Sequence, residues 1–492
     1  MVQLVKAEYR AHRIGRREIC TNLRNQIRAG NYAPEEPISS SRALAEELGV
    51  SRTTVSAAYD QLAAEGYIVV RPGMRPRVAV NFRAVSTKKT DSAEKPNPAT
   101  KSLSAYGRRL IDIGQLRPPR SSPHLINFRY GEIAYEDFPT AQWRRAVASV
   151  LLRKQNVLSY HEPFGSNALR HALQSYLWRA RSISCSLDQI IVVNGSQQAL
   201  DLLSRILLDP GDTFAIENPS YAMARWSFEA SGAAAIPIEV DDHGLVTDQL
   251  ESLQARLVYV TPSHQYPMGG VMPIDRRIQL VAWAKRTDAW IVEDDYDSEY
   301  RYDVKPLPPL WTHNPNDRVI YIGTVSKTLS PALRIGYAVV PDTLVRVVAT
   351  AKQLADRHNA QLEQEALADL IQSGTYERHV RRQRRKNNHR RETLISALKA
   401  TFGDRVDIRG TKAGLHIVVW FRDIPIAREK DLVDRARALG VGLYSVRPLC
   451  NPPLSCGQNE QIGLVMGYAS LKPERIIKGV SLLDKAIQDL GL

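Results

Sequence analysis

The sequence predicts an α/β protein in two parts: a small head that reads as a helix-turn-helix, and a larger body around a mostly parallel sheet. Three features carry this expectation. Short amphipathic helices punctuated by a glycine occupy the N-terminal region, β-branched runs alternate with helical stretches from Ile190 to Pro341, and a polar segment without periodicity lies between. At 492 residues the chain exceeds one ordinary core, and 43% hydrophobic with 24% charged residues is the composition of a folded protein.

In the head, Gly15 to Gly30 reads as a helix because Ile19, Leu23 and Ile27 recur on one face. Ser40 is placed to cap a second helix, with Ala43, Leu44 and Leu48 as its apolar stripe and Gly49 breaking the chain after it. Ser51 caps a third, Arg52 to Glu65, in which Val55, Ala58, Tyr59 and Leu62 share a face. A helix, a tight turn containing glycine and another helix is the spacing of a helix-turn-helix. Tyr67–Val70 and Val78–Val80, around Pro72-Gly73, follow as a hairpin that forms a basic wing.

In such a unit the start of the second helix enters the major groove of double-stranded DNA. Ser51, Arg52, Thr53 and Thr54 stand there, Arg52 to reach guanine edges and the hydroxyls to hold phosphates. Arg42 is placed for a phosphate, and Arg75 and Arg77 on the wing for the backbone or the minor groove. The string from Ser39 to Val55, with Ala58-Tyr59 and Leu62 through Tyr67, resembles the GntR family of winged-helix regulators. It departs at the wing, where Gly73-Met74-Arg75-Pro76-Arg77-Val78 replaces the Gly-x-Gly-Thr-Phe-Val-like end usual in that family. The expected divisions are a head over 10–83, a flexible linker over 84–102 and a body over 103–492.

A net charge of +14 favours a polyanionic partner. No apolar run approaches the ~20 residues of a membrane span, and the N-terminus lacks the apolar core of a signal peptide, so no membrane partner and a cytoplasmic location are expected. The four cysteines, Cys20, Cys185, Cys450 and Cys456, form no CxxC and have no histidines at zinc spacing, which reads as reduced thiols and no metal site.

In the body, strands are expected at Ile190–Val193, Thr213–Ile216, Leu257–Val260, Trp290–Val292, Val319–Ile322 and Ile335–Val340. A smaller C-terminal α+β subdomain is expected from about residue 345. Ligands of such sheets bind beyond the carboxyl ends of strands. Gly323 to Arg334 follows one such strand with small hydroxyl residues, a lysine and then an arginine, an order suited to holding an aldehyde cofactor and its phosphate. Pyridoxal 5'-phosphate needs a lysine, an acid at the pyridine nitrogen, an aromatic over the ring and a phosphate cup. Lys327 is the lysine, Asp294 the acid, Tyr296 a donor to the ring's phenolic oxygen and Tyr221 the stacking aromatic. Ser196 and Gln197 open a helix after Asn194-Gly195, and Thr324, Ser326 and Arg334 complete the cup. For the acidic run Glu293–Asp297 a solvated rim or a weak divalent-metal site is the competing reading.

These strings, with Tyr160 through Gly165 and Thr261 through Pro267, resemble fold type I aminotransferases, and more fully the MocR/GabR group of regulators that join a GntR-like head to such a body. The resemblance implies pyridoxal phosphate on Lys327, a homodimer in which Tyr160 reaches the partner's phosphate, and a regulator of operator DNA. Its signal would be an amino acid, an amine or the cofactor vitamer itself, sensed through Schiff-base chemistry. A working aminotransferase carrying a DNA-binding head is the alternative, and Tyr266 where aminotransferases place an asparagine argues for binding over turnover. The arginine for an effector carboxylate is Arg447, with Arg409 second. The run Tyr376–Arg391, eight Lys/Arg against one Glu, reads as a solvated helix face in preference to an accessory DNA surface.

Overall fold

The computed structural model describes residues 15–79, 102–113, 125–153, 159–303, 307–313, 317–451 and 461–492. It separates into two compact units, residues 1–98 and 99–492. The linker expected at 84–102 lies almost wholly outside the described residues.

The head packs α1 (Arg16–Arg28), α2 (Ser41–Leu48) and α3 (Arg52–Ala64) beside a hairpin of β1 (Ile68–Val69) and β2 (Arg77–Val78). Ile19, Leu23 and Ile27 of α1 and Val55, Ala58, Tyr59 and Leu62 of α3 share one core. Both expected caps form: Ser40 Oγ accepts from the Ala43 N–H and Ser51 Oγ from the Thr54 N–H, each at 3.2 Å. Gly49, at φ +65°, supplies the left-handed end of α2 that a side chain would resist.

The body opens with α4 (Ala105–Ile113), β3 (Ile126–Asn127), α5 (Thr140–Leu152) and α6 (Asn167–Arg181). Its large sheet is built from β4 (Ile190–Val193), β5 (Thr213–Asn218), β6 (Ala234–Asp241), β7 (Gly244–Leu245), β8 (Leu257–Val260), β9 (Trp290–Asp295), β10 (Val319–Thr324) and β11 (Gly336–Val339). Helices α7 (Ser196–Leu207), α8 (Ala222–Ser231) and α9 (Ile274–Thr287) come between them. The strand order is β4-β11-β10-β9-β8-β5-β6-β7, parallel from β10 to β6, with β11 and β7 antiparallel to their neighbours. The strands read as unbroken apolar runs because both faces are covered. Ile190 and Val192 enter one core while Ile191 and Val193 enter the other. Strand β6, which the sequence reading does not place, carries Pro237 and is half-buried near the sheet edge.

After β11 come α10 (Asp342–Asp356), α11 (Gln361–Gln372) and the 28-residue α12 (Thr375–Phe402). Beyond the boundary expected near 345, α10 and α11 still pack against the large sheet. The smaller core instead joins Leu394, Leu398 and Phe402 of α12 to β12 (Val406–Arg409), β13 (His416–Pro425), α13 (Glu429–Ala438), β14 (Val441–Gly442), β15 (Gln461–Gly467) and α14 (Pro473–Asp489). It also recruits Ile126 and Phe128 from the N-terminal side, since β3 pairs with β14. Among the described residues no helix is long and apolar enough to cross a membrane.

Candidate functional site

Strand register decides what converges in the body. Asp294 lies opposite Ile322, Thr324 opposite Gly336, and Gly336 opposite Val193. The carboxyl ends of β4, β9 and β10 therefore share one edge, and the segments Asn194–Gln197, Asp294–Asp297 and Thr324–Lys327 line up along it.

Lys327 follows β10, its Nζ 4.5 Å from the centroid of the Tyr130 ring. Burial lowers its amine to about 8, against the opposing charges of Asp297 and Asp294. A lysine so close to neutrality is a nucleophile at moderate pH. Gly131 permits the approach: at φ +93° a Cβ there would stand 2.9 Å from Nζ. Tyr130 and Gly131 have no sequence signal, because no local pattern announces a contact across almost 200 residues of chain.

Asp294 ends β9 with Oδ2 accepting the Tyr259 hydroxyl at 2.8 Å and with a buried Oδ1 that has no partner among the described residues. Burial pushes its carboxyl up to about 7; the Tyr259 hydrogen bond opposes this, Asp295 and Asp297 add to it and Lys327 also opposes. An orphaned carboxylate oxygen facing a depressed lysine fits a protonated ring nitrogen held at Asp294. Tyr221 stands within the fields of both Asp294 and Arg334, its hydroxyl pushed up to about 12 chiefly by burial. Its ring meets that of Tyr266 edge-on at 6.0 Å.

The residues expected to form a phosphate cup come together from two turns. The Arg334 guanidinium donates to the Asn194 carbonyl at 2.8 Å and lies flat on Gly195, where a Cβ would be 2.6 Å from Nη2. Thr324 Oγ1 lies 2.9 Å from Ser326 Oγ, and Ser326 N–H donates to Thr324 Oγ1 at 3.1 Å. Ser196 begins α7, and Gln197 is turned to Ser227 by a 2.7 Å bond. Behind the cup, Asp356 accepts from Asn194 and Gln198 and pairs with the buried Lys352 at 2.8 Å, a brace the sequence reading missed.

Other residues are placed differently. Tyr296 donates to the His264 carbonyl at 2.8 Å. Tyr160 is 71% exposed, under the Arg357 guanidinium, so it stands on the surface of the chain. Arg447 has no side-chain partner among the described residues, and its segment is knit to the turn before Tyr221 by Ser220 N–H to Leu449 O at 3.1 Å and by two Asn218–Asn451 bonds. Arg409 is committed to Asp407 at 2.8 Å. Cys20 and Cys185 are free thiols, but Cys450 is disulfide-bonded, which corrects the expectation of reduced thiols at that position.

The solvated face expected at Tyr376–Arg391 holds for Arg378, Arg381, Arg382, Arg384, Arg385 and Lys386, which are exposed, and fails at the end of the run. Arg390 and Arg391 are buried. Asp137 takes Lys386 at 2.7 Å and Arg390 at 2.6 Å, Arg384 donates to the Glu299 carbonyl at 2.7 Å, and Asp303 takes Arg391. At the start of the same helix, His379 Nε2 meets the Thr328 carbonyl at 2.8 Å and the Tyr376 hydroxyl meets Thr328 Oγ1 at 2.9 Å. The residue after Lys327 is thus held from α12.

In the head, Ser51 Oγ lies 2.7 Å from the hydroxyls of Thr53 and Thr54 at the exposed start of α3. Arg42, Arg52 and Arg75 are exposed, while Arg77 donates to the Glu35 carbonyl at 2.9 Å.

Two family profiles match: bacterial regulatory proteins of the gntR family over residues 16–78, and aminotransferase class I and II over residues 123–438. Fold and profiles together define the class, a gntR-type DNA-binding head joined to an aminotransferase-like body whose cofactor is pyridoxal phosphate. The chain is 35% identical to the probable rhizopine catabolism regulatory protein MocR of Rhizobium meliloti, over 96% of this chain and 93% of that one. It is 33% identical to the pyridoxine biosynthesis transcriptional regulator PdxR of Corynebacterium glutamicum, over 92% and 91%. The multiple substrate aminotransferase of Thermococcus profundus superposes with a TM-score of 0.68 at 28% identity, covering 79% of this chain and 95% of its own. The chain belongs to the MocR-type family of transcription regulators.

Proposed function

We propose that this pyridoxal-phosphate-dependent regulator is switched by an amino acid, an amine or the vitamer itself bound at Lys327, in a cytoplasmic homodimer whose heads hold two half-sites of operator DNA. The observation that carries this reading is a buried Lys327, its amine lowered to about 8, in the field of Asp294, one of whose buried oxygens has no partner among the described residues. When bound, the cofactor supplies an aldehyde for the lysine and an electron-withdrawing ring. The chain supplies the rest. Lys327 presents a neutral amine, Asp294 keeps a proton on the ring nitrogen, Tyr221 covers the ring, and Gly195 to Gln197 with Thr324, Ser326 and Arg334 hold the phosphate. Tyr160 serves the partner's phosphate, and Arg447 takes an effector carboxylate. Arg42, Ser51, Arg52, Thr53, Thr54, Arg75 and Arg77 bind DNA. Such a switch works only if the effector binds one conformation of the body more tightly than another.

The first test is the absorbance spectrum of the purified protein before and after a panel of amino acids and amines, alongside operator binding. Lys327→Ala is expected to lose the cofactor band and the ligand response while the apo protein still binds DNA; a Lys327→Ala protein that answers the effector normally refutes the proposal. The second reading, a working aminotransferase, is favoured by the body's likeness to solved aminotransferases, and steady keto-acid formation at ordinary enzyme rates would select it.

A further inference from the structure

Behind Tyr296 lies a pair that the cofactor reading does not use. His264 and Asp297 are each 1% exposed, and His264 Nδ1 is 3.2 Å from both carboxylate oxygens and 3.1 Å from the Tyr296 hydroxyl. The hydroxyl's own hydrogen points at the His264 carbonyl at 2.8 Å. Nδ1 therefore carries the hydrogen, shared between Asp297 and the Tyr296 oxygen. Room for the imidazole is built in: at Gly414, φ +82°, a Cβ would fall 2.0 Å from His264 Cε1 and 2.8 Å from Asp297 Oδ2. A buried carboxylate with an imidazole as its hydrogen-bonded neighbour is costly to keep unless it holds something in place.

We propose that Asp297 and His264 form a relay that strengthens Tyr296 as a hydrogen-bond donor to the cofactor's phenolic oxygen, the hydroxyl hydrogen turning from the His264 carbonyl to that oxygen, in place of the donor missing at Tyr266. Asp297 fixes the tautomer, although its charge by itself holds the tyrosine hydrogen on, and His264 Nδ1–H polarises the tyrosine hydroxyl. Both act through Tyr296 and are positioning residues. The groups facing the pair are Tyr130, Tyr266, His416, Lys327 and Asp294. Arg301, Tyr300, Tyr302 and Tyr468 lie in the field of Asp297. His416 stays neutral, lowered to about 3 by burial and by the charges of His264 and Lys327, and the buried tyrosine hydroxyls are all pushed above their ordinary value.

The inference rests on the cofactor reading of Lys327 and Tyr296, and its test separates the two. Full-length protein loaded with pyridoxal phosphate is titrated with pH while following the absorbance of the cofactor joined to Lys327. A weaker donor leaves more charge on the ring oxygen to hold the linkage proton, so His264→Leu is expected to raise the midpoint by about half a pH unit or more. Asp297→Asn removes a charge that by itself favours the linkage proton, so its shift is read as the difference between the wild-type and Tyr296→Phe backgrounds and is expected to be more positive where Tyr296 is present. His264→Asn, whose amide can stand where Nδ1 stood, returns the midpoint toward wild type, and His264→Leu adds nothing in a Tyr296→Phe background. A wild-type midpoint in His264→Leu, or a full additional shift on top of Tyr296→Phe, overturns the relay. If His264→Leu fails to load, Asp297→Asn decides by the same comparison, and equal shifts in the two backgrounds overturn the relay. A wild type that shows no band with added cofactor overturns the cofactor reading, and the relay with it.

Discussion

A lysine that must condense with an aldehyde has to spend part of its time uncharged, and Lys327 reaches that condition mainly through burial. The free-amine fraction rises as pH passes the lysine's value near 8. Reloading of the apo protein with pyridoxal phosphate is therefore expected to speed up through that range and level off above it, as read by stopped-flow absorbance; a flat profile would contradict the placement. Asp294 has the opposite consequence for stability. Its folded value of about 7 exceeds the ordinary 3.8, so the folded apo protein binds the extra proton between the two. The stability this carboxyl contributes is present below the lower value and lost as pH rises through the upper. Glu217 and Glu293, also pushed up to about 7 by burial, act in the same direction. Urea unfolding of the apo protein is expected to show a fall in stability from pH 5 to 7.5 that is shallower in Asp294→Asn. Lys327 and Asp294 were legible because each sits at the end of an apolar run, where residue type and strand end coincide in one local string. Tyr130, His264 and Gly414 were not, since what makes them matter is contact among three distant pieces of chain.

Among the elements, α12 shows where charge patterning stops short. Most of its basic run does face solvent, but the run ends in a buried Arg390 whose counter-charge, Asp137, lies 253 residues earlier. Only the fold brings them together. Asp137 is held below its ordinary value by Lys386 and Arg390, against the opposing effect of its burial. Removing that charge strands a buried arginine, so Asp137→Asn is expected to cost on the order of 3 kcal/mol in urea unfolding. Strand β6 escaped notice for another reason: Pro237 breaks the apolar alternation, and a half-buried strand near an edge has little of it to begin with. The caps at Ser40 and Ser51, by contrast, were legible to the residue, because a cap is a contact over three positions and sequence records such distances directly.

At the scale of the whole molecule, head and body are separate compact units with separate chemistries. Arg52→Ala is expected to weaken binding to the specific operator by at least tenfold, or about 1.4 kcal/mol, in a gel-shift or anisotropy titration, with the cofactor spectrum unchanged. The two family profiles fall one on each unit, and the motifs that carry them were readable in the chain because each is short and contiguous. What was not readable is how α12 joins the parts of the body, and this has a further consequence. Its 28 residues make a shaft about 42 Å long, with Thr328 clasped at one end and the core of the small subdomain at the other. Torque applied at either end arrives at the other, so a ligand that draws the small subdomain inward must also tug the turn that carries Lys327. Chemistry and signal then share a single crankshaft. Replacing the exposed Arg385 and His389 by glycine would slacken it: ligands should still change the spectrum, and operator binding should cease to follow.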